Sequence, residues 1–111
     1  MELALQDDGS VTVVTLSGDL VIGEAEALFK RTVSRLLEEG RVQLVVDCSG
    51  LRYVDSSGLG SLVRALTTSQ HEGGGAKLLG VPATLRKLLE LTKLDSVFES
   101  FDNRDQAVSS F

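Results

Sequence analysis

Glu2 to Gln6 and Val11 to Leu16 both carry strand-like patterning, and Asp7-Asp8-Gly9-Ser10 between them has the composition of a tight turn. The second run, Val-Thr-Val-Val-Thr-Leu, is β-branched and nearly all apolar, as expected of a strand covered on both faces. An antiparallel hairpin is therefore expected to open the fold, with Gly18 ending its second strand. From Glu24 to Glu39 the period changes to a helical one. Ala25, Leu28, Phe29, Val33, Leu36 and Leu37 make one stripe, and Glu26, Lys30, Arg31 and Arg35 lie opposite. Gly40 stands where a left-handed C-terminal residue belongs.

Val42 to Val46 reads as a short buried strand, and a second helix is expected from about Ser57 to Gln70, with Leu59, Leu62, Val63 and Leu66 inward. Gly73-Gly74-Gly75 breaks it, and Ala76 to Gly80 is the next strand. Pro82 fits the first turn of a third helix, whose inner face is Leu85, Leu88, Leu89 and Thr92. Val97-Phe98 predicts a short strand, and Asp102 a cap for a last helix through Val108. The order is ββαβαβα plus a C-terminal helix, an α/β fold with a small mixed sheet. Right-handed crossovers should set the second, third and fourth strands parallel and the first antiparallel to the second. The loops Gly18–Gly23, Ser49–Ser56 and Gly80–Pro82 should then open on one edge of the sheet, where partners of open α/β sheets usually bind.

Composition narrows the function classes. The 111 residues suit one domain spanning 1–111, with a mainly aliphatic core, since aromatics supply only 5% of the chain. A net charge of −5 disfavours direct contact with nucleic acid or anionic membranes and favours a protein partner with a basic face. No apolar run approaches the length of a membrane span, Met1-Glu2-Leu3-Ala4 lacks signal-peptide design, and the single cysteine, Cys48, suits a reducing compartment. A cytoplasmic protein, monomeric or weakly dimeric, is expected.

The segment richest in chemistry is Tyr53-Val54-Asp55-Ser56-Ser57-Gly58-Leu59-Gly60. Asp and Ser before an apolar helical stripe are N-cap residues, and capping alone would account for them. Gly58 and Gly60, however, fall in the first turns of the helix, where glycine is unfavourable, unless a partner backbone or a phosphate must approach closely.

Val54-Asp55-Ser56-Ser57-Gly58-Leu59-Gly60 resembles the phosphorylation motif of STAS-domain anti-sigma-factor antagonists. The resemblance extends to Leu16-Ser17-Gly18-Asp19-Leu20, the strand before the motif, the glycine-rich turn before the fourth strand, and the helix after Val81-Pro82. It implies a binding module, not an enzyme, that captures an anti-sigma factor when unphosphorylated and so frees a sigma factor. It implies Ser56 as the phosphoacceptor, with Ser57 the secondary candidate. The kinase is the anti-sigma factor with its own ATP, a phosphatase opposes it, and no cofactor is required. Many members carry an acidic residue directly after the Gly-acid-Leu segment; here that position is Val21, with Glu24 three residues on. The alternative is a STAS scaffold or an accessory subunit of a signalling or transport assembly, with Ser56 only a cap.

Other motifs add little. Gly73-Gly74-Gly75-Ala76-Lys77 lacks P-loop spacing and precedes a strand; Gly58-Leu59-Gly60 lacks the third glycine of a dinucleotide fingerprint. His71 reads as a solvated helix end and Cys48 as a packed residue, and no cluster has metal-ligand spacing. The expected partner surface is the outward ridge Gly60, Ser61, Arg64 and Thr67, with Asp19 to Glu24 and the Asp55-Ser56-Ser57-Gly58 turn. At the entrance to the second helix, unpaired N–H groups and the helix dipole should favour an anion.

Overall fold

Gly9, with φ +64°, turns the chain between β1 (Glu2–Asp8) and β2 (Val11–Leu20), which pair antiparallel. The computed structural model describes residues 1–111 and continues with α1 (Glu24–Glu38), β3 (Gln43–Val54), α2 (Ser56–His71) and β4 (Gly75–Leu79). α3 (Ala83–Leu91), β5 (Ser100–Phe101) and α4 (Arg104–Ser109) complete it. The strands form one sheet in the order β1-β2-β3-β4-β5, parallel from β2 onward. The mixed α/β architecture and the hairpin-then-parallel order are as the sequence predicts. No helix is long and apolar enough to cross a membrane.

Alternation along the strands divides the core. Val14, Leu16, Leu44, Val46, Cys48, Ala76 and Leu78 meet the buried stripes of α1, α2 and α3 on one face. Val11, Val13, Val45 and Leu79 meet Ala107 of α4, with Phe101, Val108 and Phe111 packed alongside. The double cover explains the continuous apolar run in β2. Lys77, also on the α4 side, donates to the Ser110 carbonyl at 2.9 Å and lies 4.5 Å from the Phe111 ring, tying the last helix to the sheet.

Several boundaries differ from the sequence reading. Gly18 does not end β2; its φ of +94° accompanies a register irregularity against β3, and pairing resumes to Leu20. β3 does not stop at Val46 but runs to Val54, so most of the expected Ser49–Ser56 loop is strand. Beyond Asp47 it has no β4 partner, and only Cys48, Leu51 and Val54 are buried, which removes the apolar run that marks its first half. The Gly80 turn lies level with Ser49, where a Cβ on Gly80 would stand 2.9 Å from the Ser49 Cβ. The Gly80–Pro82 loop opens in the expected direction, and Thr84 just after it lines a groove with Tyr53 and Val54 at the end of β3. Pro82 precedes the first turn of α3 as its N-cap, and Thr92 is exposed rather than inward. Val97 and Phe98 both donate backbone N–H groups to Leu94, making a turn; the strand is Ser100–Phe101. Asn103, not Asp102, caps α4 by accepting from the Gln106 N–H at 3.0 Å.

Candidate functional site at the entrance to the second helix

β2 and β3 end side by side on the rung Leu20–Val54, and the Asp55 N–H still donates to the Leu20 carbonyl at 3.3 Å. The chain then turns from strand into α2 within one residue. Asp55, with extended backbone, is the N-cap; its Oδ1 accepts from the Gly58 N–H at 2.7 Å. Its Oδ2 accepts from the Ile22 N–H at 2.9 Å, in the loop between β2 and α1. One carboxylate therefore ties together the start of α2 and the neighbouring loop. The Ile22 N–H, and then the Gly58 N–H, hold its pKa below the ordinary aspartate value.

Ser56 is the first residue of α2 and its side chain is exposed, whereas Ser57 beside it is half-buried. Of the two hydroxyls, Ser56 is the one offered to an incoming group. The N–H groups expected to be free for an anion are not all free: the Asp55 carboxylate already holds that of Gly58.

The two glycines have different causes. A Cβ on Gly58 would run into the carbonyl oxygen of Leu20 and stand 2.9 Å from its carbon, so Gly58 lets α2 sit against the end of β2. Gly58 is buried and unavailable to a partner, contrary to expectation. Gly60 is exposed, with open space where a Cβ would be. The expected outward ridge loses Ser61 as well. That residue is 6% exposed and its hydroxyl donates to the Gly58 carbonyl at 2.6 Å, because it sits on the side of α2 that α1 covers. Gly60, Arg64 and Thr67 do face solvent, and Arg64 borders a groove of about 230 Å³ between α1 and α2.

Asp19 lies across from Tyr53, one rung before the strands end, and pairs with the exposed Arg52 at 3.4 Å. Glu24 is exposed at the first position of α1, after Gly23 with φ +112°. The β2–α1 loop thus stands beside the Ser56 turn, as the parallel topology requires. Within the expected Asp19–Glu24 segment one residue stands out, and one neighbour lay outside the expected surface. Ile22 is 72% exposed although its backbone is clamped by Asp55, and Arg52 was hidden inside the supposed loop. An aliphatic residue between Val21 and Gly23, outside any periodic stripe, is the only signal the sequence offers for Ile22.

The remaining candidates are structural. Burial first, and then the neighbouring Asp47, push the Cys48 thiol up to about 12. Gly74 passes against the Val42 carbonyl, where a Cβ would collide, so the glycine run shapes the turn into β4. His71 is exposed at the last position of α2.

This geometry defines a class: a small mixed-sheet α/β domain that displays a serine hydroxyl at a clamped strand-to-helix turn. The chain matches the STAS domain over residues 2–107 and belongs to that family. It is 21% identical over 109 residues to an anti-sigma F factor antagonist of Paenibacillus polymyxa, covering 98% of this chain and 93% of the relative. A Thermotoga maritima structure described as that of a candidate anti-sigma factor antagonist superposes with a TM-score of 0.90 at 25% identity, over 97% of this chain and 92% of its own. The anti-sigma factor antagonist SpoIIAA matches in its unphosphorylated form with a TM-score of 0.77 at 19% identity, covering 98% of this chain and 96% of its own. Its phosphorylated form, from Bacillus, matches at 0.78 and 20%, with 98% of both chains covered.

Proposed function

We propose that this chain is an anti-sigma-factor antagonist, a reversible binding module switched off by phosphorylation of Ser56. The observation that carries the reading is the exposed Ser56 hydroxyl at the first position of α2, directly after the clamped Asp55. The unphosphorylated protein captures an anti-sigma factor and releases the sigma factor for transcription. The chemistry is done by the partners: the anti-sigma factor, acting as a serine kinase, adds the phosphoryl group, and a phosphatase removes it. Asp19, Glu24, Asp55, Ser57, Gly60 and Arg64 surround or flank the contact, with Gly58 and Ser61 supporting it from within the fold.

The switch acts through surface charge. A phosphoryl group adds about −1.5 to −2 charges beside Asp55, and a surface complementary to the free serine then meets a dense negative patch. The loss of affinity is on the order of a few kcal/mol, the scale of like charges opposed across an interface. The TM-scores to SpoIIAA in its two forms, 0.77 and 0.78, are nearly the same, which fits a switch that leaves the backbone largely unchanged.

The test is a pull-down from the organism's own lysate, followed by incubation of the purified kinase with ATP and mapping of the label by mass spectrometry. Ser56→Ala should resist labelling and bind constitutively; Ser56→Asp should bind poorly while melting near the parent temperature. A label elsewhere, or equal affinity of the phosphorylated form, ends the switch reading and leaves the scaffold in its place.

A further inference from the structure

We infer that Ile22 is a preorganised apolar anchor for the anti-sigma factor, held beside Ser56 by the Asp55 clamp, and that it helps to set which anti-sigma factor is bound. This inference rests on the function proposed above and names a contact within it. Single exposed aliphatic side chains are ordinary on protein surfaces. What distinguishes Ile22 is the combination of exposure and restraint. Its side chain is 72% exposed, yet its N–H is fixed at 2.9 Å by a carboxylate from a residue 33 positions later.

The loop is restrained on its other side too. The Glu26 N–H donates to the Val21 carbonyl at 3.2 Å and the Ala27 N–H to that of Gly23 at 3.0 Å, joining the loop to the first turn of α1. A loop held at three points loses little freedom on binding, and a side chain presented from it gains most of its burial as affinity. The same Asp55 holds Gly58 in the first turn of α2, so the anchor and the acceptor turn are joined through one side chain.

The chemistry of the occupant follows from the surroundings. Glu24 is exposed two residues on, Asp19 lies three residues before, and Arg52 already pairs with Asp19. The matching feature is an apolar pocket on the anti-sigma factor with a basic rim, placed so that Ile22 enters it as Ser56 meets the phosphoryl-transfer site. An anti-sigma factor with a polar surface there leaves Ile22 facing unpaired polar groups and is discriminated against.

The probe is the kinase recovered in the pull-down, purified and titrated against the parent protein, Ile22→Ala, Ile22→Asp, Ile22→Leu and Ser56→Asp. Loss of a largely buried aliphatic contact should weaken binding by about 10- to 100-fold in Ile22→Ala, and further in Ile22→Asp. Ile22→Leu should stay within a few-fold of the parent, and all three Ile22 variants should melt near the parent temperature. If Ser56→Asp weakens binding but Ile22→Ala does not, the anchor is refuted and the phosphoswitch stands. If the affinity loss tracks a loss of thermal stability, Ile22 serves the fold and the anchor is again refuted. If no kinase is recovered, or Ser56→Asp binds as the parent does, the functional reading fails and the anchor with it.

Discussion

Gly58 and Gly60 are two positions apart on α2, yet replacing each by alanine should change stability in opposite directions. In a helix, alanine is favoured over glycine by roughly 0.5–1 kcal/mol, so both substitutions would stabilise if only the backbone mattered. At Gly60 nothing occupies the space of the new methyl, and the whole gain should appear. At Gly58 the methyl meets the Leu20 carbonyl, with the Leu20 Cγ only 3.0 Å away. A backbone collision cannot be relieved by changing a rotamer; α2 must move off the end of β2. Overpacking of this kind costs about 1–3 kcal/mol, and a backbone obstacle places it at the upper end. Net of the helical gain, Gly58→Ala should lose about 2 kcal/mol, or roughly 8–16 °C in Tm at about 4–8 °C per kcal/mol. Gly60→Ala should gain about 2–8 °C on the same scale. Calorimetry and urea titration with an unchanged m-value check both. Equal or greater stability in Gly58→Ala would refute the close approach of α2 to β2.

The Ile22 and Gly58 amide shifts should titrate together with Asp55, with a midpoint below that of an unperturbed aspartate, about 3.9. The depressed folded-state pKa means that this contribution to stability is fully present above the unfolded value and is lost as pH falls through the folded one; a midpoint at or above 3.9 contradicts the clamp. Cys48, with its thiol pushed up to about 12, should resist iodoacetamide at pH 8 in the folded protein and react in urea, as mass spectrometry will show; rapid native labelling contradicts its burial. Charge reversal at Arg64 combined with Gly60→Glu should weaken capture of the anti-sigma factor without lowering Tm much, since the open position of Gly60 accepts a side chain. Unchanged affinity in that double variant removes the exposed side of α2 from the interface.

Periodicity revealed those parts of the fold where burial is continuous. The doubly covered run of β2 and the stripes of α1 and α2 are legible because one physical environment extends over several turns or residues. The second half of β3 is illegible for the opposite reason: it leaves its β4 partner after Asp47, its burial becomes intermittent, and Asp47, Ser49, Gly50 and Arg52 imitate a loop. At the candidate site, Asp55 as N-cap was readable because Asp before a helical stripe is a local signal. Its second bond, to Ile22, and the contact between Gly58 and Leu20 join distant segments and leave no local trace. The error at Ser61 has a related origin. α1 covers one flank of α2 and widens the buried face beyond its apolar stripe, so a serine bonded to its own helix falls inside.

The Asp55 clamp also bears on how a phosphoryl group at Ser56 would behave. A helix start normally draws an anion in through its free N–H groups and the positive end of its dipole. Here the carboxylate of Asp55 already occupies that place, bonded to Gly58 and held from the other side by Ile22. The phosphoryl group is therefore the second anion at one helix end. Two effects oppose each other in its second ionisation. The dipole, equivalent to about half a positive charge and partly spent on Asp55, lowers the pKa. The full negative charge of the adjacent carboxylate raises it, and should prevail. The second pKa of phosphorylated Ser56 should thus lie above the usual value of about 6, so that the switch deepens as pH rises through neutrality. A ³¹P NMR titration of the phosphorylated protein measures this directly. Asp55→Asn keeps a side chain able to cap the helix but removes the charge, and should move the midpoint down. A midpoint at or below that of free phosphoserine would mean that the N–H groups of α2 capture the phosphate, and that switching proceeds by rearranging the Asp55 clamp rather than by charge displayed on a fixed backbone.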